Sequence, residues 1–434
     1  MTELLVLLTF CTAVVACALS GISVIWALTF GFLLFTGYGL LRGHALRDLL
    51  AMAFKGVRTT STIIIVMGLI GMLTGSWRAS GTIAWLVSYA VDFVTPANAL
   101  PAAFLLNALL STLTGTSFGT VATMGVITMT LCDAMGINPM LSGGAILAGA
   151  FVGDRCSPVS TSAALVAAIT KTNLYTNMRL MLKTGAIPFI LAVAVYAAFG
   201  FFSDAEPADL AVREIFSRAL TLSPWTLLPA VLLLALVFCR VAIRDTMILS
   251  IAAAAAVSFF IQNQSAHDIF STLIFGYAAP DADVARLLDG GGLLSMISVC
   301  VIVMLSATYA GLFEGTGLLQ SIERIIPAAA ERITPFGTTV LTALAASAVA
   351  CNQVLAVMLT NQLTQSIQPN AQHRAIELEN TAIVIPPLIP WSIAGAVPIA
   401  TIGAPTLCIA AAVYLWLLPL WGIFAQKHRA KHLL

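Results

Sequence analysis

Apolar residues along this chain neither alternate with polar ones nor recur at a helical period. They run on almost without interruption, at about 4–20, 22–41, 59–76, 82–95, 98–113, 117–135, 139–152, 157–170 and 184–202. After a polar break they resume at about 224–239, 245–262, 294–312, 318–329, 337–350, 353–367, 380–402 and 405–424. A membrane-spanning helix needs about 20 such residues. The pattern therefore predicts an all-α polytopic membrane protein with about 10–14 transmembrane segments. Some runs fall short, among them 139–152, 157–170, 318–329 and the two halves of 380–402. These read as half-helices or re-entrant hairpins.

One stretch departs from the hydrocarbon background. Residues 114–161 begin Thr114-Gly115-Thr116-Ser117-Phe118-Gly119-Thr120 and end Gly153-Asp154-Arg155-Cys156-Ser157-Pro158-Val159-Ser160-Thr161. Broken or polar backbone at membrane depth is tolerated only where it is buried in protein or lines a cavity. The stretch therefore reads as half of a transport site.

Composition agrees with the membrane reading. The 434 residues are 59% hydrophobic and 9% charged, against about 25% charged in soluble domains. The net charge of +1 says nothing of nucleic acid, and the basic residues are scattered in loops with no basic face, so no nucleic-acid partner is expected. The eight cysteines lie in or beside apolar runs and read as small buried hydrophobes. Met1-Thr2-Glu3 lacks the basic start of a cleavable signal peptide, so the first helix is expected to stay in the protein.

Orientation follows from basic residues in short loops. Arg42, Arg47, Lys55 and Arg58 mark 42–58, Arg240 and Arg244 mark 240–244, and Lys427, Arg429 and Lys431 mark the tail. All three are expected to be cytoplasmic, and counting back puts the N-terminus inside as well. The acid-rich 203–223 and 263–293 loops are expected outside. The charge pattern thus inverts between halves: residues 1–203 and 224–424 read as two inverted repeats, joined by a polar linker at 204–223 and followed by a basic tail at 425–434. Three echoes keep order and spacing. Ile65-Val66-Met67 matches Ile302-Val303-Met304, and Trp77-Arg78-Ala79-Ser80-Gly81 matches Phe313-Glu314-Gly315-Thr316-Gly317. Cys156-Ser157-Pro158-Val159-Ser160 matches Leu388-Ile389-Pro390-Trp391-Ser392. Inverted repeats of this kind hold a site between discontinuous helices near mid-membrane.

The second half then supplies a partner for 114–161. Thr116-Ser117 falls on Asn352-Gln353, and Asp154 and Glu379-Asn380 each precede a proline-containing break. Freed carbonyls with Thr, Ser and Asn oxygens suit a hard cation, and half-helix N-termini suit an anionic group. The candidate site is Thr114, Thr116, Ser117, Thr120, Asp154, Ser157, Ser160 and Thr161 with Asn352, Gln353, Glu379, Asn380, Trp391 and Ser392. Asp154 and Asn352 are the candidate Na⁺ ligands.

Each of these residues also has a plainer reading. The Gly and Thr residues of 114–120 suit close helix packing. Asp154 suits an ion pair with Arg155 or a helix cap, Glu379 a surface pair with Arg374, the prolines a kink, and Trp391 an interfacial anchor. Asp92, Asp133 and Glu314 read as solvated helix ends, and the five histidines as loop or tail residues without metal-ligand spacing. No HExxH or Gly-x-Ser-x-Gly motif points to an enzyme, and no filter-like loop points to a channel.

The segments Gly115-Thr116-Ser117-Phe118-Gly119-Thr120, Gly153 to Ser160 and Pro387-Leu388-Ile389-Pro390-Trp391, with Asn352-Gln353 and Leu378-Glu379-Asn380, resemble signature segments of the NhaC family of Na⁺/H⁺ antiporters. The likeness covers roughly residues 60–424. It implies an ion-coupled secondary transporter of the inner membrane, driven by Na⁺ or H⁺ without a cofactor. It further implies alternating access of the elevator type, paired hairpins and a dimerising scaffold. Three positions depart: Thr161, Asn352 and Asn380 stand where family members carry Asp. With fewer carboxylates, a Na⁺- or H⁺-coupled transporter of amino acids or small carboxylates on the same fold is the alternative.

Overall fold

The structure, a computed structural model, describes residues 2–20, 22–202, 211–239, 241–318, 333–350 and 352–431. Most of the 318–329 run, the start of the 204–223 linker, Arg240, Cys351 and the end of the tail lie outside them. The described residues are helical almost throughout and contain no strand. In chain order the helices are α1 Thr2–Leu19, α2 Val24–Leu41, α3 Leu46–Thr59, α4 Ser61–Ala79, α5 Thr82–Ala90 and α6 Pro96–Thr114. There follow α7 Ser117–Thr120, a π turn Val121–Gly125, α8 Val126–Ala134, α9 Pro139–Cys156, α10 Thr161–Thr170 and α11 Leu174–Phe201. The second half holds α12 Ala211–Ala219, α13 Leu228–Phe238, α14 Ile243–Phe260, α15 Ala266–Phe275, α16 Ala282–Leu288 and α17 Ile297–Thr316. It ends with α18 Pro335–Ala350, α19 Gln353–Thr364, α20 Ala371–Asn380, α21 Ile393–Ile402 and α22 Val413–Lys431.

Among the described residues, five helical stretches are long and apolar enough to cross a membrane: Val24–Leu41, Pro96–Thr114, Leu174–Phe201, Ile243–Phe260 and Leu293–Phe313. Two bent pairs raise the count to seven: Leu46–Arg58 with Ile63–Ala79, bent by 47°, and Arg213–Ala219 with Pro224–Phe238, bent by 92°. The protein is an all-α polytopic membrane protein. Several apolar runs of the sequence are realised as short or broken helices, among them Thr161–Thr170 and Ile393–Ile402. The 139–152 run is different. It belongs to the 18-residue α9, which continues to Cys156.

Two packing groups position the site. In the first, α1, α2, α3 and α17 close around Phe10, Phe35, Tyr309 and Phe313, whose rings meet edge-on or tilted at 4.7–6.0 Å. The Tyr309 hydroxyl donates to the Leu28 carbonyl. Helices α3 and α17 approach closely because Gly56 faces Ala307 and Gly311 faces Met52. A Cβ on either glycine would lie 2.0–2.1 Å from the opposing carbonyl oxygen. Helix α4 joins this group to α14 through Trp77, whose indole N–H donates to Ser250 Oγ at 3.0 Å.

The second group is built on α6 and α9. Gly149 and Gly153 face Phe104–Asn107 and Ser111–Thr112, a small-xxx-small seat of the kind that drives association where lipid offers no hydrophobic gain. The Ser111 hydroxyl donates to the Ala150 carbonyl across this seat. Helix α11 packs on α6, with Gly200 against Ala97. It holds the approach to α22 through Tyr196, whose hydroxyl donates to Ala411 O at 2.8 Å and accepts from Val413 N at 3.0 Å. Between α7 and α8 the π turn contains Thr123 and is followed by Thr128, whose hydroxyls donate back to Gly119 O and Met124 O at 2.8 Å.

Among the cysteines the burial expectation holds for Cys132, Cys156 and Cys408. Cys11, Cys17 and Cys300 are half-buried, and Cys239, at the end of α13, is exposed. His267 and His373 sit in the first turns of α15 and α20 rather than in loops.

Candidate functional site

Each half carries two helix breaks, and the caps at corresponding breaks agree in backbone conformation. Helix α6 ends at Gly115 in the left-handed region (φ 69°), where a side chain would strike Val159 and Ser160 2.7–2.8 Å away. Thr116 is extended (φ −140°, ψ 126°) and caps α7 by accepting from Gly119 N. Asn352 has nearly the same geometry (φ −139°, ψ 131°) and caps α19 by accepting from Val354 N at 2.9 Å. After α9 the chain extends, and Ser160 (φ −69°, ψ 129°) caps α10 by accepting from Ser162 N and Ala163 N at 3.2 Å. After α20 it passes through a 3₁₀ turn at Pro386–Leu388, and Ser392 (φ −72°, ψ 141°) caps α21 by accepting from Ala394 N at 3.4 Å. Serine at an N-cap satisfies helix N–H groups that have no partner within the helix, so both short helices can begin inside the protein.

Asp154 is buried one turn before the first break. Its Oδ2 accepts from Gln353 Nε2 at 3.0 Å and its Oδ1 from Ser162 Oγ at 3.2 Å. Gln353 Nε2 also donates to the Ile383 carbonyl at 3.0 Å, in the segment freed by the second break. The Ser160 hydroxyl donates to the Asp154 carbonyl at 2.5 Å. One glutamine thus ties the carboxylate of one half to the broken backbone of the other.

Arg155 does not pair with its neighbour Asp154, because consecutive helix residues face apart. Its fully buried guanidinium donates through one terminal nitrogen to Tyr414 Oη at 3.2 Å and to Cys156 Sγ at 3.0 Å. Through the other it reaches Asn380 Oδ1 at 2.6 Å, with Thr184 Oγ1 and Met181 O each at 3.0 Å. Glu379 is fully buried within electrostatic reach of Arg155 and Asp154, and neither carboxylate oxygen has a hydrogen-bond partner. It is therefore no surface pair with Arg374, whose guanidinium donates to Asn361 Oδ1 at 3.0 Å and Gln368 O at 2.8 Å. Burying an unpaired charge is expensive, which sets Glu379 apart from every other acid described so far.

Two cavities adjoin these residues. A cavity of about 770 Å³ is walled by Asn380, Thr184, Lys183, Glu377, Phe336 and Trp421, among others. A second, of about 540 Å³, is walled by Thr114, Gly115, Thr116, Val159, Thr161 and the turn between α13 and α14. The fold thus brings together Asp154, Gln353, Glu379 and Asn380. Thr114, Thr116 and Thr161 open instead onto the smaller cavity. Ser117 is buried at the start of α7, Thr120 donates to Thr116 O at 2.8 Å, and Ser157 accepts from Val159 N at 3.3 Å within the break. Trp391 is buried with its ring 6.3 Å from that of Phe10 and its indole N–H on Ala348 O at 2.8 Å, so it joins the break to the aromatic group. Ser162, Arg155, Thr184 and Tyr414 belong to the network although the sequence pattern did not select them. Ser162 was findable, because it lies in the first turn of the half-helix that the 157–170 run marked, although its cap is Ser160 and not Asp154.

Comparison with known proteins shows the family to which the chain belongs. A family model described as the Na⁺/H⁺ antiporter family matches residues 1–170 and 162–423. An uncharacterised Na⁺/H⁺ antiporter of Haemophilus influenzae is 26% identical over 397 residues, covering 87% of this chain and 83% of the relative. The Na⁺/H⁺ antiporter NhaC of Bacillus subtilis is 28% identical over 367 residues, 81% of this chain and 80% of the relative. A malate-2H⁺/Na⁺-lactate antiporter of the same organism is 24% identical over 368 residues, 82% of this chain and 78% of the relative. The chain belongs to the Na⁺/H⁺ antiporter family, and with it to the antiporter-type secondary transporters.

Proposed function

We propose that the protein exchanges Na⁺ for H⁺ across the cell membrane, with Asp154 and Glu379 as the carboxylates that take the two ions in turn. The observation that carries the reading is Glu379, a fully buried carboxylate whose oxygens have no hydrogen-bond partner among the described residues and which lies within electrostatic reach of Asp154. A carboxylate in such surroundings is neutralised by a proton or by a bound cation, and the two compete for the same charge. Asn352 Oδ1 caps α19 by accepting from Val354 N, and this reading places the ions on the two carboxylates.

The matched caps at Thr116 and Asn352 and at Ser160 and Ser392 support two inverted repeats. Alternating access then follows from movement of the α6–α11 and α18–α22 group against the α1–α4 and α13–α17 group. The end of α22 flanks the larger cavity, so with a cytoplasmic C-terminus that cavity is the inward approach to the site.

The test is a Na⁺ pulse on proteoliposomes that hold a pH dye. Wild-type protein should alkalinise or acidify the lumen according to the gradient, while Asp154→Asn and Glu379→Gln should not, each with an unchanged elution profile. Full activity in either variant would remove that carboxylate from the mechanism.

A second reading has its own observation. The 770 Å³ cavity lies in the size range of small-molecule sites, about 300–1,000 Å³, and one relative is described as a malate/lactate antiporter. Uptake of a labelled carboxylate or amino acid, with no proton movement on Na⁺ addition alone, would favour an organic substrate.

A further inference from the structure

From Arg155 we infer that the site accepts a single monovalent cation at a time, so that exchange is one Na⁺ for one H⁺. This rests on the exchange reading above and adds its stoichiometry. Arg155 is fully buried, and a guanidinium does not lose its proton in a protein. Among the described residues every hydrogen-bond partner of its terminal nitrogens is neutral: Asn380 Oδ1, Thr184 Oγ1, Met181 O, Tyr414 Oη and Cys156 Sγ. Its positive charge is therefore set against Glu379, a buried carboxylate that lies in turn within electrostatic reach of the buried Asp154.

Two carboxylates and one guanidinium leave a single negative charge. Arg374 and Glu377, both buried one to two turns earlier on α20, contribute one charge of each sign and do not alter the balance. Lys183, at the cavity wall, is exposed to solvent. A buried site is cheapest when neutral. One Na⁺ or one proton brings this site to neutrality, and a second cation would leave it positive. Arg155 is thus a positioning residue. It holds Asn380 and Tyr414 in place, and its charge occupies what would otherwise be a second cation's share of the site.

Asn380 gives the cleanest test, because Asn380→Asp changes one amide to a carboxylate of the same shape and adds one negative charge beside Arg155. Purified wild-type protein should bind one ²²Na⁺ per chain with a Hill slope of one. Asn380→Asp and Arg155→Gln should bind two with a slope above one, and Arg155→Lys should return to one. In proteoliposomes, the wild-type Na⁺ ratio at equilibrium should track the proton ratio at any potential imposed with valinomycin and K⁺. Each unbalanced charge moved would shift that ratio roughly fifty-fold per 100 mV.

Two Na⁺ per wild-type chain, or a wild-type equilibrium that follows the potential, overturns the inference. So does an Asn380→Asp protein, folded by its elution profile, that still binds one. The binding arm does not need exchange. If protons fail to move while one Na⁺ binds, the exchange reading fails and the charge balance stands.

Discussion

The breaks after α9 and after α20 share their cap and differ in the carboxylate that precedes them. At the first, Asp154 is saturated: Gln353 and Ser162 donate to its oxygens and Ser160 to its carbonyl. At the second, Glu379 is as deeply buried and its oxygens have no partner. The first break is a short extended link, and the second is a longer path through Pro386, Pro387 and Pro390. The difference teaches a division of labour. A carboxylate held by two donors, with a third on its own main-chain carbonyl, ties the two halves in register. A carboxylate without donors has its capacity free for an ion, as the proposed exchange requires.

The largest expected effects break this comparison outright. Asp154→Asn and Glu379→Gln should both reduce exchange to background, but they should part in stability. The asparagine turns an N–H₂ toward donors that have lost their acceptor, at a cost of about 1–3 kcal/mol. The glutamine removes a buried charge, so its thermal midpoint in detergent should be no lower than that of the wild type. A Glu379→Gln protein less stable than Asp154→Asn would erase the distinction.

Next come the glycines that seat each break. A Cβ at Gly153 would lie 2.0 Å from the Ser111 carbonyl carbon, whereas one at Gly395 would lie 2.7 Å from Pro387 O. Gly153→Ala should cost about 1–3 kcal/mol or more as overpacking against backbone, and Gly395→Ala less. Thermal melts that rank them the other way would place the tighter seat in the second half.

The smallest effects sharpen the comparison at the caps. Ser160→Ala and Ser392→Ala should each lose about 1 kcal/mol of capping. Ser160 should lose about 0.5–1.5 kcal/mol more for the bond to the Asp154 carbonyl. Equal losses would mean that this bond adds nothing.

Much of this was legible in the residues, and the limits have physical causes. Hydropathy located the membrane helices because the bilayer forces apolar runs of a set length. Ser-Pro and Pro-Trp marked the breaks because caps and prolines act within a few residues of themselves. The short α10 and α21 followed from that. The end of α9 was misplaced because Asp154-Arg155 reads as polar, although the helix carries both charges into the interior. Glu379 resembled a surface partner of Arg374 for the same reason: sequence shows charge but not burial. The partners of Arg155, at Thr184, Asn380 and Tyr414, come from three other helices, and no local pattern connects them.

The π turn at Val121–Gly125 opens a different kind of control. Its backbone carries one residue more than an α-helical turn would hold. Deleting a single residue there would let the helix close regularly and rotate Thr116–Thr120 by about 100° relative to Val126–Ala134. That rotation would re-aim a wall of the smaller cavity while leaving every side chain chemically intact. The gain or loss of one codon is therefore a rotary adjustment open to this protein in evolution and in engineering, and no point substitution reproduces it.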